Sequence, residues 1–397
     1  MTISRRRFLQ LSSLASASMF VPKFLRAFEN KPLPGNKKLI VIQLSGGNDG
    51  LNTVIPYRND IYYSSRPLIG IKKEEALSLT DEIGLNPSLK GIKQLFDEGY
   101  VSIINGVGYA RPNRSHFRSM DIWQSGSASE ELVTTGWLGR YLDDAALNPD
   151  SHNSLALEVD DSLSLAMKGK DKSALAIRDI NQFHNAATNT YFTRMAAHNE
   201  EHKEQLADYL YKTLRGTVSA ADYIYKQSKI YTSSQTYPNT EIGKHMQIIG
   251  SLIASRAETR VYYVSHGSFD THVNQKDRQN KLFAQLDEAL TALVADLKKN
   301  DCFNDVVIMT FSEFGRRVGQ NASNGTDHGT ANSMFLMSGS LKKQGIYNPI
   351  PSLQDLDSGD LKYEIDFKEV YATILGKWLD ADPYNILGKR YEPLAFI

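Results

Sequence analysis

Only one cysteine, Cys302, occurs among the 397 residues, which rules out an internal disulfide and any metal site built from clustered thiolates. Its Asp-Cys-Phe setting ahead of a strand gives no sign of a nucleophile, so Cys302 reads as structural. Net charge is missing too. Lys plus Arg (45) equals Asp plus Glu (45), so no basic field argues for nucleic acid or an acidic membrane surface as partner. No segment reaches 18 consecutive apolar residues, which predicts no transmembrane segment in the mature chain. Internal repeats and low-complexity tracts are also lacking. What is present is an ordinary globular composition, 41% hydrophobic and 23% charged, long enough to bury a large core over 36–397 as one big domain or as a domain plus an insertion.

The first 27 residues read as an address rather than as fold. Ser4-Arg5-Arg6-Arg7-Phe8-Leu9-Gln10 precedes a modestly apolar stretch from Leu11 to Val21, followed by Lys23 and Arg26. That order matches a twin-arginine export signal, the alternative being a basic amphipathic arm. The match predicts recognition by the twin-arginine translocation machinery and a periplasmic or secreted destination. A small-x-small cleavage site is missing around Ala27.

Three hydrophobic runs each empty into a glycine-containing turn that bears acid or histidine. Leu39 to Leu44 leads to Ser45-Gly46-Gly47-Asn48-Asp49-Gly50; Val261 to His266 leads to Gly267-Ser268-Phe269-Asp270-Thr271-His272; Val306 to Phe311 leads to Ser312-Glu313-Phe314-Gly315-Arg316-Arg317. A polar loop then delivers Gly325-Thr326-Asp327-His328-Gly329-Thr330. Open α/β sheets bind ligands beyond the carboxyl ends of their strands. Carboxylates and imidazoles together are the donor set of borderline divalent metals. Any one of these turns alone is as well explained by a solvated strand end; the argument lies in several converging.

Between these runs the pattern alternates. Asn86 to Glu98 is amphipathic and precedes a strand at Val101 to Ile104; a loop follows to Phe117, then a helix around Arg118 to Gln124. Residues 185–258 are helical in pattern, broken near Ser233 to Asn239, and predict a cap or side insertion. Lys276 to Lys299 is a strongly periodic helix joining the Asp270 strand to the Glu313 strand, as a crossover connection does. His198 and His202 share a helix face by their spacing but read as surface residues. Trp123, Trp137 and the 20 tyrosines line either a sugar-binding cleft or the core.

The export signal, Leu44-Ser45-Gly46-Gly47-Asn48-Asp49-Gly50, Ser115-His116-Phe117, Phe269-Asp270-Thr271-His272, Phe311 to Arg316 and Asp327-His328-Gly329-Thr330 together resemble the twin-arginine-exported domain-of-unknown-function family fifteen-hundred-and-one. That family is similar to a distant branch of the alkaline phosphatase and sulfatase superfamily. The resemblance implies a three-layer α/β/α fold with a mostly parallel central sheet, and a site holding one or two divalent ions, zinc first, with manganese or calcium as other candidates. Laid on this chain, it implies Asp49, Asp270, His272, Glu313 and His328 as metal ligands. One departure is Phe314, which stands where the superfamily usually has histidine and leaves a two-metal site incomplete.

The superfamily attacks with a hydroxyl or formylglycine at a helix start, which points to Ser115 as nucleophile, with His116 beside it able to ligate or to donate. A plain N-cap role explains Ser115 equally well. The formylglycine motif of sulfatases is absent. Asn48, Arg111, Arg114, Arg316 and Asp327 are the candidate substrate contacts, the arginines suiting an anionic ester. His266, near Asp270, is a candidate for orienting a ligand through its second nitrogen. The expected activity is metal-dependent hydrolysis of a phosphate or sulfate ester, small or carbohydrate-borne, by Ser115 or an activated water. The alternative is a degenerate hydrolase fold that binds a polysaccharide or surface partner without catalysis.

Overall fold

The computed structural model describes residues 37–145, 156–197 and 205–397. The export-signal residues, His198 and His202 lie outside them. Among the described residues, nine strands form the main sheet: β1 (Lys38–Leu44), β2 (Val101–Gly108), β3 (Ala156–Glu158), β4 (Leu175–Ala176), β5 (Val261–His266), β6 (Val306–Phe311), β7 (Asn332–Met337), β8 (Gly345–Ile346) and β9 (Ile365–Asp366). Their order is β8-β2-β7-β6-β1-β5-β3-β4, with β9 also pairing β2. Strands β5 and β6 flank β1 in parallel, and only β7 is antiparallel to its neighbours β6 and β2.

That single reversal determines where the site lies. The loops after β1, β2, β5 and β6 leave the carboxyl edge of the sheet, while the segment before β7 enters at the same edge because β7 runs the other way. Four connections distant in the chain therefore meet, the one from β6 to β7 leaving and re-entering the sheet at this edge.

Strand β1 is apolar at nearly every position because both sheet faces are covered. Its residues alternate between two cores: Ile40, Ile42 and Leu44 face one, Leu39 and Val41 the other. On the first side pack α1 (Lys90–Asp97), α4 (Glu241–Ala254) and α5 (Gln275–Lys299), contributing Ile92, Met246, Ile249, Phe283 and Leu290. On the second pack α2 (His116–Ser125), α3 (Trp137–Ala145) and α6 (Phe367–Thr373), contributing Trp123, Trp137 and Tyr371. The three-layer α/β/α arrangement is thus the one expected. Trp123 and Trp137 belong to the core, each 1% exposed.

Two boundaries differ from the sequence reading. Strand β2 continues to Gly108, and α2 begins at His116 instead of Arg118, so His116 occupies a helix first turn. Within 185–258, α4 is a layer of the main core, whereas Met195, Tyr211 and Leu214 of the helices Thr190–Ala196 and Gln205–Ile230 make a small separate cluster.

Candidate metal centre

The floor of the site is a guanidinium. Arg316, whose side chain is fully buried, donates from Nε to Gly47 O at 2.6 Å, from Nη1 to Thr326 O at 3.0 Å, and from Nη2 to Gly46 O, Phe269 O and Asp270 Oδ1 at 2.5, 3.1 and 2.8 Å. One side chain therefore ties the post-β1, post-β5 and pre-β7 loops together. Gly46 and Gly47, at φ 120° and 79°, let these loops approach: a Cβ on Gly46 would overlap the Asp270 nitrogen, and one on Gly47 the Phe314 ring. The segments around Glu313 and His328 pair directly, through Gly315 N to Thr330 O at 2.7 Å and Gly329 N to Gly315 O at 2.9 Å.

Above this floor His116, Asp270 and His328 present ligand atoms that all lie within 4.8 Å of one another. His328 Nε2 is 3.2 Å from Asp270 Oδ1, His116 Nε2 is 3.5 Å from Asp270 Oδ2, and His272 Nε2 is 2.9 Å from Asp270 Oδ1 and 3.0 Å from His328 Nε2. Tetrahedral zinc with bonds of about 2.0–2.1 Å spaces its donors by roughly 3.3 Å, so these separations suit one shared ion.

Tautomers argue the same way. His328 Nδ1 lies 2.9 Å from the Arg114 carbonyl, which only accepts, so Nδ1 carries the proton and Nε2 offers its lone pair when the ring is neutral. Burial lowers the His328 pKa and favours that neutral form. Partial burial works to raise the Asp270 pKa, but the hydrogen bond and positive charge of Arg316 oppose it and keep the carboxylate ionised. With both groups in those states, two lone pairs face each other across 3.2 Å. His116 Nε2 is likewise buried without a hydrogen-bond partner. A divalent cation among these atoms resolves both facts, so the donor set fits a metal.

Glu313 and His116 hold positions other than those the resemblance implied. Glu313 is fully buried, its Oε1 accepting from Gly46 N at 2.9 Å and lying 2.9 Å from His116 Nδ1. The carboxylate orients the imidazole and, by this hydrogen bond, raises its pKa, while His116 Nε2 turns toward Asp270. Such a carboxylate–histidine pair is the usual support behind a metal-facing imidazole. His116 thereby joins the cluster, and Glu313 stands behind it.

Asp49 is set apart. Its Oδ2 accepts from Arg66 Nη1 at 2.6 Å and from Gln275 Nε2, its Oδ1 accepts from Leu51 N at 3.2 Å, and its side chain is 1% exposed. Arg66 supplies the positive charge that a metal was expected to supply. Neither Arg66 nor Gln275 was marked by any motif; both are recognisable only from the fold.

The expected substrate contacts are engaged elsewhere. Asn48 is buried, bonded to Thr53, Gln279, Ser312 and Asn332. Arg111 pairs with Glu130, and Arg114 with the buried Asp360. Arg316 is used up on carbonyls and Asp270 as described. Asp327 Oδ1 lies 3.6 Å from His272 Nδ1, beside the cluster. His266 donates from Nε2 to Leu282 O, 3.1 Å away on α5, and supports no cluster ligand. Ser115 is exposed at the N-cap of α2, its hydroxyl making no capping bond. Phe314 fills the flank of the cluster, its ring centroid 4.5 Å from that of His328 and 4.9 Å from that of His116.

Fold and site together define an α/β protein with a histidine–carboxylate cluster at the carboxyl edge of its sheet. A family model described as "Protein of unknown function (DUF1501)" matches residues 106–381, and the chain belongs to that family. Among solved structures it is similar to the phosphonate monoester hydrolase SpPMH from Silicibacter pomeroyi, at 8% identity, 91% coverage of this chain, 78% of that chain and a TM-score of 0.41. It is also similar to the zinc-complexed C-terminal periplasmic domain of EcEptC from Escherichia coli, at 9% identity, coverages of 81% and 78% and a TM-score of 0.37. PsFucS1 sulfatase from Pseudoalteromonas sp. is similar at 11% identity, coverages of 88% and 70% and a TM-score of 0.36. Comparison with curated proteins finds no match.

Proposed function

We infer that the protein is a divalent-metal-dependent hydrolase acting on a phosphate or sulfate ester. The observation that carries this is the convergence of His116, Asp270 and His328, with the buried Nε2 of His116 left without a partner. These three would hold the ion, with His272 adjacent, and zinc suits their nitrogen and oxygen donors. A bound ion of this kind polarises an ester oxygen and makes water a competent nucleophile near neutral pH.

The residues around it do the rest. Glu313 keeps His116 in one tautomer and one orientation, and Arg316 holds Asp270 against three loops so that the cluster is preorganised. Arg114 and Arg316 already face a buried acid and loop carbonyls, so a bound ion would supply most of the positive charge that draws an anionic ester. Ser115, exposed at the start of α2 next to His116, is the candidate hydroxyl nucleophile.

A second reading, a non-catalytic binder, is favoured by Phe314, whose ring takes the place of a donor beside His116 and His328. Elemental analysis of purified protein reconstituted with zinc, followed by a panel of phosphate and sulfate esters, separates them. One bound equivalent with ester turnover supports the hydrolase; bound zinc without turnover supports the binder; no zinc overturns both. The reading also includes export by the twin-arginine route, supported by Ser4 to Gln10. Cell fractionation of the Arg5→Lys/Arg6→Lys variant, expected to stay in the cytoplasm, tests it. No helix among the described residues is long and apolar enough to cross a membrane.

A further inference from the structure

A cavity of about 530 Å³ opens beside Phe314. Its walls come from the end of β2 and the loop after it (Gly108, Tyr109, Arg111, Pro112), from Thr330 and Ala331 ahead of β7, and from Leu356, Asp357 and Leu361 to Tyr363. Phe314 is the shared element: it lines the cavity and its ring packs on His116 and His328. The volume lies within the roughly 300–1,000 Å³ typical of small-molecule sites.

The chemistry of the lining is mixed in a specific way. Phe314, Pro112, Leu361 and Tyr363 give flat or apolar surface, and Tyr363 remains 40% exposed. A Cβ on Gly108 would press against that of Tyr363, so the glycine is what lets this ring segment close over β2. Arg111, Asp357 and Lys362 add charge of both signs. Arg111 and Lys362 pair with the exposed acids Glu130 and Asp355, partners that solvent-exposed side chains exchange at little cost. A purely apolar aryl group would use the flat surface alone and engage none of these charges. A sugar ring meets both demands, with its C–H face on the aromatic surface and its hydroxyls toward donors and acceptors.

We propose that this cavity is the subsite for the sugar that carries the ester group, the anionic group lying toward His116, Asp270 and His328 and the ring beside Phe314 against Tyr363. The proposal rests on the hydrolase reading for the reaction, but the binding step can be read alone. Saturation-transfer NMR with glucose 6-phosphate and glucose 6-sulfate should show transfer to ring protons in the zinc-loaded protein. Tyr363→Ala should weaken it by about tenfold in Kd, Tyr363→Phe should restore it, and zinc content should stay unchanged in both. In turnover, Tyr363→Ala should raise KM for the sugar esters by the same factor while leaving kcat, and KM for ethyl phosphate, unaltered.

Equal losses for ethyl phosphate and the sugar esters, or no loss for either, would overturn the subsite. Phenyl phosphate gaining as much from Tyr363 as glucose 6-phosphate would overturn its assignment to carbohydrate. Sugar binding that depends on Tyr363 without any turnover would sink the hydrolase reading and leave the subsite standing.

Discussion

Asp49 and Asp270 follow two neighbouring parallel strands, each after a glycine-containing turn, yet they end in opposite surroundings. Asp49 is shut away with Arg66 and Gln275 on its oxygens. Asp270, 47% exposed at its side chain, shares one oxygen with Arg316 and turns the other toward His116. The lesson is that a strand-end carboxylate is closed or open according to how many of its oxygens the fold engages: both oxygens of Asp49 are taken in a site shut to solvent, whereas Arg316 takes one oxygen of Asp270 and leaves the other beside His116. A guanidinium supplied by the fold stabilises structure permanently, whereas open imidazole lone pairs leave room for an exchangeable ion.

The strongest way to break this contrast is Arg316→Met, since Arg316 serves the Asp270 side while acting as a strut. Stranding the carbonyls of Gly46, Gly47, Phe269 and Thr326 should lower stability by on the order of 5 kcal/mol, read as the urea midpoint, and remove zinc binding with it. Next is Asp49→Ala, which leaves Arg66 buried and unpaired. A loss of about 3–5 kcal/mol is expected, with the zinc affinity of the folded fraction unchanged. A loss of zinc affinity in folded Asp49→Ala protein would return Asp49 to the ligand set.

Asp270→Asn should show the converse: a smaller stability loss than Asp49→Ala, because the amide oxygen still accepts from Arg316, and clearly weakened zinc in calorimetry. Unchanged zinc content would count against the centre as drawn. Glu313→Gln should weaken zinc by roughly 10–100-fold, the range for partners that orient a ligand histidine. If it abolished binding as completely as His116→Ala, Glu313 would be a direct ligand after all.

The smallest effect is in pH. His116 titrates above its ordinary 6.5 because of the Glu313 hydrogen bond, so in the apo protein its contribution to stability is full below 6.5 and fades as pH rises through the folded value. Zinc and the proton compete for Nε2. The thermal upshift caused by zinc should therefore shrink as pH falls from 8 to 6. Asp270 takes no part in that window: with a folded pKa of about 2 against 3.8 unfolded, its contribution is present above 3.8 and disappears only as pH falls toward 2. A zinc upshift constant from pH 8 to 6 would remove His116 from the ligands.

Much of this was readable before any coordinates. The strands ending near Leu44, His266 and Phe311 and the long helix from Gln275 follow from apolar periodicity, a property of neighbouring residues. Asp270, His272 and His328 were identified from their turns and do come together. Glu313 was read as a ligand and His116 as the partner of Ser115, yet Glu313 lies behind His116, because nothing local tells which of two facing groups stands nearer a third. Asn48, Arg111, Arg114 and Arg316 looked like contacts for an anion, but their partners, such as Asp360 and the loop carbonyls, occur in segments that carry no motif.

The chain alone determined its layers, its turns and the stock of donors brought to one sheet edge, since alternation, glycine and helix periodicity act over a few residues. Only the tertiary structure decided which donor meets which. The His116 to Glu313 contact spans 197 positions and the Asp49 to Gln275 contact 226, and pairings at that range depend on strand order and on the one reversed strand, β7.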